Sequence, residues 1–271
     1  MQVSEPIQQA WGAHLRLDFR RDNGRTGVHK HSEGPLVVQK PLYPEGPGVC
    51  HAIVVHPPGG IAGGDDLSVS VDAAATTHAL LTTPGAGKWY RSAGPWARQA
   101  LDFRVAGTLE WLPRETIVFD AARARLRTRI ALAGDARYLG WEVLCLGRTG
   151  SGESFTRGEI RLETDLLRDG RLLWTERARI PGGGALLRSP AGFAGKTVCG
   201  TLVASCASGF PKDLVSQCRD VAATTALPGV LLARYLGDSA EGAMNAFTRL
   251  WTLLRPHLAG REAVPPRIWS T

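Results

Sequence analysis

The sequence lacks the cysteine patterns that mark a disulfide framework or a zinc ribbon. The number of cysteines is odd, and no two of them have C-x-x-C spacing. The five are Cys50, Cys145, Cys199, Cys206 and Cys218. Neither a disulfide-stapled secreted domain nor a zinc ribbon is therefore favoured.

Secretory and membrane-spanning segments are also missing. Residues 1–10 have no apolar core of a signal peptide. The longest stretch without Asp, Glu, Lys or Arg, residues 46–64, contains three prolines and two histidines and does not fit a transmembrane helix. We expect a soluble, cytoplasmic protein with no membrane contact.

Common catalytic motifs are absent as well. The histidines form no H-x-x-x-H pair, and there is no G-x-S-x-G nucleophile elbow. Residues 82–92 (TTPGAGKWYRS) contain Gly-x-Gly-Lys, but Thr82 and Trp89 stand where a P-loop needs Gly and Ser or Thr. A binding or assembly role is favoured over catalysis.

The chain is rich in arginine and in turn residues. Its 271 residues carry a net charge of +7, and 27 of the 32 basic residues are Arg. Arg suits bidentate contacts with acidic groups, so an acidic partner is one explanation, and coding bias is another. The 32 glycines and 17 prolines indicate many turns and short strands, hence a mainly β fold.

One predicted strand has a cationic face. Four arginines alternate there with apolar residues or threonine: Arg123, Arg125, Arg127 and Arg129. This face is either a partner surface or a sheet edge that charge protects from aggregation. Nucleic acid is not favoured, because single-strand binding normally interleaves aromatic residues, and none occurs here.

A glycine-rich loop, residues 56–67 (HPPGGIAGGDDL), connects two predicted strands. Its His56, Asp65 and Asp66 are potential metal ligands but too few for a site without others. Asp65 is also typical of a turn residue that caps backbone N–H groups. The two acids would be the catalytic pair of a β-helix-type hydrolase, the alternative function, although adjacent strand residues point to opposite faces.

Further acids lie in apolar or glycine-rich surroundings. Glu110 follows Leu109 in the segment 109–120 (LEWLPRETIVFD), and Glu142 and Glu153 lie in 141–155 (WEVLCLGRTGSGESF). A buried carboxylate needs a counter-ion, here Arg114 or another Arg. Alternatively, such an acid points to water from a half-exposed strand.

The carboxy-terminal part changes to a helical period. Apolar residues at 214, 215, 218, 221 and 222, and again at 243, 247, 250, 251 and 254, predict two helices. Asp238 and Glu241 resemble a capping box for the second helix, and Pro256 is expected to end it. The apolar, proline-rich residues 261–271 are expected to dock on the protein.

Five segments together resemble the urease accessory protein family UreD, called UreH in some systems. They are residues 56–67, 82–92, 109–120, 141–155 and 255–271 (RPHLAGREAVPPRIWST), in the family's order across nearly the whole chain. Gly87 departs from the family pattern, which commonly has a small polar residue there. The resemblance implies one UreD-like domain over residues 1–271.

The resemblance to the UreD family also implies a β-helix-like stack of short strands with two helices near the carboxy terminus. The expected role is that of a non-catalytic scaffold without a cofactor of its own. It would recruit a UreF-type partner and a UreG-type GTPase to urease apoprotein, with GTP hydrolysis in the UreG-type partner.

Nickel would be in transit through an internal polar passage. Carboxylates suit weak transit better than a His/Cys cluster does, because imidazole and thiolate hold nickel harder. We therefore predict a lining from six residues: His56, Asp65, Asp66, Glu110, Glu142 and Glu153.

Overall fold

A computed structural model describes residues 10–270. Residues 1–9, on which most of the signal-peptide prediction rests, lie outside the described part. The strands in chain order are β1 (Gly12–Asp22), β2 (Arg25–Glu33), β3 (Val37–Val38), β4 (Cys50–Val55), β5 (Asp66–Ala73), β6 (His78–Thr82), β7 (Gly87–Trp89), β8 (Ala97–Val105), β9 (Thr108–Leu112), β10 (Thr116–Val118), β11 (Arg123–Leu132), β12 (Arg137–Leu146), β13 (Glu159–Arg168), β14 (Arg171–Pro181), β15 (Val198–Ser205), β16 (Ala223–Leu227) and β17 (Val230–Gly237). The α-helices are α1 (Ala185–Arg188), α2 (Lys212–Arg219) and α3 (Ala240–Ala259).

The strands form two sheets, and the chain passes back and forth between them. The seven-stranded sheet has the order β14-β13-β11-β8-β5-β1-β2. The ten-stranded sheet contains the path β16-β17-β15-β12-β9-β6-β4-β3, with β7 and β10 beside it. From β4 to β13 the long strands alternate between the sheets, and neighbours within each sheet are parallel. The prediction of a mainly β protein is confirmed.

Side-chain alternation builds the core between the sheets. In β1, residues Ala13, Leu15, Leu17 and Phe19 are at most 1% exposed, whereas the residues between them are more exposed. The strand β11 repeats this pattern with buried Ala124, Leu126 and Ile130 and outward arginines. Each large apolar side chain buried in this way contributes about 1.5–3 kcal/mol.

A second core lies under α3. The helix buries Phe247, Leu250, Trp251 and Leu254 against the outer side of the ten-stranded sheet, where Trp141 belongs to the same cluster. These positions recur at helical spacing, so both predicted helices are confirmed as α2 and α3.

Two details of α3 differ from prediction. Pro256 does not end the helix, because in the last turn it removes only one backbone donor; the helix continues to Ala259 and stops at Gly260, whose φ is 64°. The N-cap is Ser239, whose side chain accepts a hydrogen bond from Gly242 N at 2.9 Å. Asp238 instead forms an ion pair with Lys196.

The carboxy-terminal segment docks as predicted. Trp269 Nε1 donates to Thr82 Oγ1 at 2.8 Å, which joins the segment to β6. Its ring lies 6.0 Å from those of Trp141 and Trp251. These contacts extend the second core with aromatic surface.

A buried ion network fixes α3 to the sheet. The Arg255 guanidinium, 1% exposed, donates through Nε to both oxygens of Glu110 at 3.1 Å. Its Nη1 and Nη2 donate to the two oxygens of Glu45 at 2.8 and 2.7 Å. His78 contacts Glu110 at 2.5 Å, and His51 contacts Glu45 at 2.6 Å.

The network accounts for Glu110 within the core. Trp251 Nε1 also donates to Glu110, so each carboxylate oxygen has partners. The expectation that an arginine neutralises Glu110 is confirmed with Arg255. Arg114 instead lies 3.5 Å from Glu115.

Removal of Arg255 is expected to destabilise the protein strongly. Arg255→Met would leave Glu110 and Glu45 buried without their shared cation, which costs about 3–5 kcal/mol. Urea unfolding of this variant and of Arg249→Met, an exposed arginine on the same helix, gives the comparison. Equal unfolding midpoints for the two variants would contradict this role.

The network also predicts acid sensitivity. Burial raises the pKa of Glu45, but the hydrogen bonds from His51 and Arg255 outweigh burial and bring this pKa down from 4.5 to about 2. A depressed carboxyl pKa stabilises the fold above pH 4.5, and this stability is lost as the pH falls toward 2. We expect Glu45→Gln to remove roughly 3 kcal/mol of that pH dependence, measured by urea unfolding at stepwise lower pH. If the free energy of unfolding falls equally with decreasing pH in Glu45→Gln and in the native chain, the prediction is wrong.

Candidate functional site

A cavity of about 530 Å³ lies between the two sheets. Its wall combines inward-facing strand residues with two loops, one after β4 and one after β6. Apolar side chains such as Leu101 and Val203 cover part of the wall, and polar side chains cover the rest. This volume is large enough for several water molecules.

The two glycine-rich loops form one end of the cavity. Ile61 N donates to Lys88 O at 2.7 Å, and Tyr90 N donates to Ile61 O at 2.9 Å, so the loops are bound to each other. A Cβ at Gly60 would come within 2.2 Å of the Tyr90 ring. Gly59 has a φ of 77°. Glycine is needed at Gly60 for this close approach and favoured at Gly59 by its backbone angle.

His56 lines this end with an open nitrogen. Its Nε2 is buried and has no hydrogen-bond partner among residues 10–270. Burial lowers the pKa of His56, and the charge of Asp65 opposes that shift. A neutral imidazole with a free ring nitrogen is the form that coordinates a metal cation.

Two rows of polar side chains, one on neighbouring strands of each sheet, also line the cavity. In the seven-stranded sheet, Thr128 is paired with Thr164 on the neighbouring strand. In the ten-stranded sheet, Glu142 is paired with Thr201. All four residues line the cavity. The rows therefore bring hydroxyl oxygens from both sheets to the same space as a carboxylate.

An ion pair between the sheets closes the ends of these rows. Glu176 follows Thr164 in the register of one sheet, and Arg234 follows Thr201 in the other. Arg234 Nη1 lies 2.6 Å from Glu176 Oε1 and 2.5 Å from Thr201 Oγ1. The guanidinium thus joins both sheets at the edge beside the cavity.

Glu142 is the most perturbed acid of the site. Burial, and next the charge of Glu176, raise the pKa of Glu142 from 4.5 to about 7. Burial, followed by the charge of Glu142, raises the pKa of the nearby Cys199 thiol to about 12. Near neutral pH the carboxyl exchanges its proton readily, whereas the thiol stays protonated and coordinates metal poorly.

The six predicted lining residues do not form one cluster. Within residues 10–270 no group of three or more His, Cys, Asp or Glu side chains could hold a metal ion. Only His56 and Glu142 line the cavity. Glu110 belongs to the network with Arg255, and Glu153 accepts from Arg148 and from Asp120 N. The role of the six residues toward nickel remains a prediction.

Asp65 and Asp66 have separate environments. Asp65 accepts from Trp11 N and Ala62 N at 3.0 and 2.7 Å, so its two oxygens cap the turn. Asp66 begins β5 and is exposed. The two carboxyl groups thus form no pair of the kind that glycoside hydrolysis uses.

Sequence reasoning missed Thr128, Thr164, Thr201, Glu176 and Arg234. A usable pattern exists for the first two, since each threonine occupies an inward position in a strand whose other inward positions are apolar. The ion pair of Glu176 and Arg234 has no comparable pattern, because it depends on how the two sheets meet.

The arginines predicted as a partner surface lie on the outer face of the seven-stranded sheet. Arg125 and Arg127 are exposed, whereas Arg123 and Arg129 are partly buried. The strand β11 lies between β8 and β13, so it is not a sheet edge, and protection of an edge does not explain its charge. None of the helices within residues 10–270 is long and apolar enough to cross a membrane.

Comparisons with known proteins agree with the five sequence segments. A family model described as UreD urease accessory protein matches residues 12–270. Relatives named urease accessory protein UreD include one from an Azoarcus species, 54% identical over 97% of this chain and 95% of the relative. Others are those of Dechloromonas aromatica, 51% identical over 99% and 98%, and of Pseudomonas aeruginosa, 52% identical over 97% and 96%.

These matches confirm the predicted family and the prediction of an accessory protein rather than an enzyme. They give the hydrolase alternative no support. The chain belongs to the UreD family of urease accessory proteins.

Proposed function

We propose that this protein is a cytoplasmic scaffold for urease maturation that recruits UreF-type and UreG-type partners to urease apoprotein and passes nickel through the cavity between its sheets. Membership of the UreD family supports the maturation role. The cavity with Glu142 among facing threonines is the observation that carries the proposed passage. GTP hydrolysis is assigned to the UreG-type partner, and this chain needs no cofactor of its own.

The path of the chain supports a β-helix-like interpretation. Strands alternate between two sheets from β4 to β13, with parallel neighbours in each, as successive turns of such a stack would place them. We treat residues 1–271 as one functional domain on this basis. The stack encloses the space that we assign to the passage.

The ligands along the cavity suit transit rather than storage. At an association rate of about 10⁶ M⁻¹s⁻¹, a nanomolar site would release nickel at roughly 10⁻³ s⁻¹, and a micromolar site at roughly 1 s⁻¹. A passage needs the faster release. One carboxylate with hydroxyl groups binds nickel more weakly than a cluster of imidazoles and thiolates would.

The charges of the site suggest an order of contacts. His56 offers its open Nε2 at the loop end, and Glu142 lies farther inside. At the sheet edge, the ion pair between Arg234 and Glu176 bridges the two sheets and closes the passage until the pair opens. We therefore assign entry to the loop end and exit to this edge, with partner binding as the event that opens the ion pair.

The central test is urease activation by Glu142→Gln. The amide keeps the size of the side chain but cannot carry the negative charge, so we expect activation at limiting nickel to fall about tenfold. The assay contains urease apoprotein, the UreF-type and UreG-type proteins, bicarbonate, GTP and nickel. Glu241→Gln, an exposed acid on α3, is the matched control.

Complex formation separates the two parts of the proposal. We expect Glu142→Gln to bind the partners as the native chain does, because the residue faces the cavity. Full activation by this variant would overturn the passage. Failure of the native chain to bind any of the three proteins would overturn the scaffold role.

The same substitution is expected to stabilise the protein at alkaline pH. Because the folded-state pKa of Glu142 is raised to about 7, stability falls as the pH rises from 4.5 to 7 and then stays lower. Glu142→Gln removes this cost, roughly 2–3 kcal/mol above pH 7. Thermal unfolding at pH 5 and pH 8 measures it. A stability difference between the two proteins that does not change with pH would contradict the assignment.

A further inference from the structure

A row of arginines crosses the outer face of the seven-stranded sheet. Arg98 is paired with Arg125, Arg125 with Arg161, and Arg161 with Arg179 on successive strands. We call these four residues the arginine row. Neighbouring strands are about 4.8 Å apart, so the row spans about 14 Å.

The row carries more positive charge than its own contacts neutralise. Arg125 Nη2 lies 2.8 Å from Glu163 Oε1. Arg161 and Arg179 share Glu159, at 2.6 and 2.8 Å. Arg98 has no ion pair among residues 10–270, although Asp66 is its register partner on β5. Like charges directly opposite on neighbouring strands destabilise a sheet, so this arrangement costs stability in the free protein.

The excess extends over the surrounding face. The register of β13 and β14 shifts after Leu166. The outward positions of β8, of β11, and of β13 and β14 up to this shift carry nine arginines and four carboxylates, an excess of five positive charges in a chain of net charge +7. The arginines are Arg98, Arg104, Arg123, Arg125, Arg127, Arg129, Arg161, Arg177 and Arg179, and the acids are Asp102, Glu159, Glu163 and Asp165. Most of the protein's net charge is therefore concentrated on this half of the sheet.

Trp96 lies beside Arg161 of the row. The Cζ atoms of Arg123 and Arg161 each lie 4.5 Å from the centre of its ring. This stacking holds the guanidiniums in place, so less rotamer entropy is lost when they bind a ligand. Tryptophan and arginine are also the residues most enriched where protein interfaces concentrate their binding energy.

We propose that the arginine row with Trp96 is a docking surface for a carboxylate-rich face of a protein partner. The planar guanidiniums match carboxylates in bidentate geometry, and an acidic partner would neutralise the excess charge. Nucleic acid fits less well, since the Trp96 ring is already stacked with guanidiniums. The inference rests on the proposed scaffold function.

This surface differs from the one predicted along β11. Arg127 and Arg129 are register partners of Glu163 and Asp165, but those carboxylates form ion pairs with Arg125 and Arg177. The arginine row runs across the strands instead, where four arginines have only Glu163 and Glu159 as ion-pair partners and Arg98 has none among residues 10–270. Sequence alternation finds arginines along one strand, whereas only the sheet register reveals the row.

The test compares charge reversal inside and outside the row. Binding of Arg98→Glu/Arg125→Glu to urease apoprotein, the UreF-type protein and the UreG-type protein is measured at low and high NaCl. The control, Arg137→Glu/Arg249→Glu, makes the same charge change at exposed positions elsewhere. We expect the row variant to lose at least about tenfold in affinity for one partner at low salt, and the control about twofold at most.

Three further measurements keep the outcome clear. The row variant must match the native chain in circular dichroism and thermal unfolding. If it does not, Arg98→Lys/Arg125→Lys takes its place, because lysine keeps the charge but cannot form bidentate contacts. For that variant we expect an intermediate loss of affinity. Poly-L-glutamate is expected to compete for the surface. Binding of a DNA oligonucleotide or of phosphatidylserine vesicles that depends on the row, with protein binding unchanged, would overturn the inference.

The two proposals fail in different ways. If the native chain binds none of the three proteins, the scaffold function itself is wrong. If the native chain and the row variant bind and activate equally, only the docking surface is wrong.

Discussion

The structure depends on one buried cation, Arg255, held by two carboxylates. It joins α3 to Glu110 in the ten-stranded sheet and to Glu45 in the segment before β4. Removal of Arg255 alone would leave both carboxylates without their shared cation. Because α3 packs on β12 and β15, whose inner faces carry Glu142 and Thr201, the network also fixes the strands that form one wall of the cavity. Stability and the candidate site thus share one support.

The local parts of this architecture were predictable, and the long-range contacts were not. Alternation predicted the half-buried strands, and helical spacing predicted α2 and α3, because both patterns reflect which side of an element meets the core. The same reasoning recognised Glu110 as an acid in need of a counter-ion. Its partner lies 145 residues away in the sequence, and no local pattern identifies it. Pro256 does not end α3 as the sequence predicts, because a proline in a last turn removes only one hydrogen bond.

The acids of the predicted passage show the same limit. Asp65 accepts a hydrogen bond from Ala62 N, a use that short polar side chains in turns commonly have, and Glu153 accepts from Asp120 N and Arg148. Glu142 differs because its register neighbour is Thr201, while the adjacent Arg234 is held by Glu176. An acid in an apolar strand was therefore a fair reason to expect a buried carboxylate. Which acid remains without a counter-ion depends on the register of two sheets.

Two strands contribute to both of the surfaces on which the proposals rest. On β11 and β13, Thr128 and Thr164 point into the cavity, and Arg125 and Arg161 point outward. Inside, a carboxylate without a fixed counter-ion leaves room for a mobile cation, whereas outside, arginines with too few carboxylates favour an anionic surface that stays bound. Alternation along β11 and β13 places the threonines on the inner face and the arginines on the outer face. A partner on the arginine row would therefore rest on the backbone that forms the cavity wall, which places docking and the proposed passage on opposite sides of the same sheet.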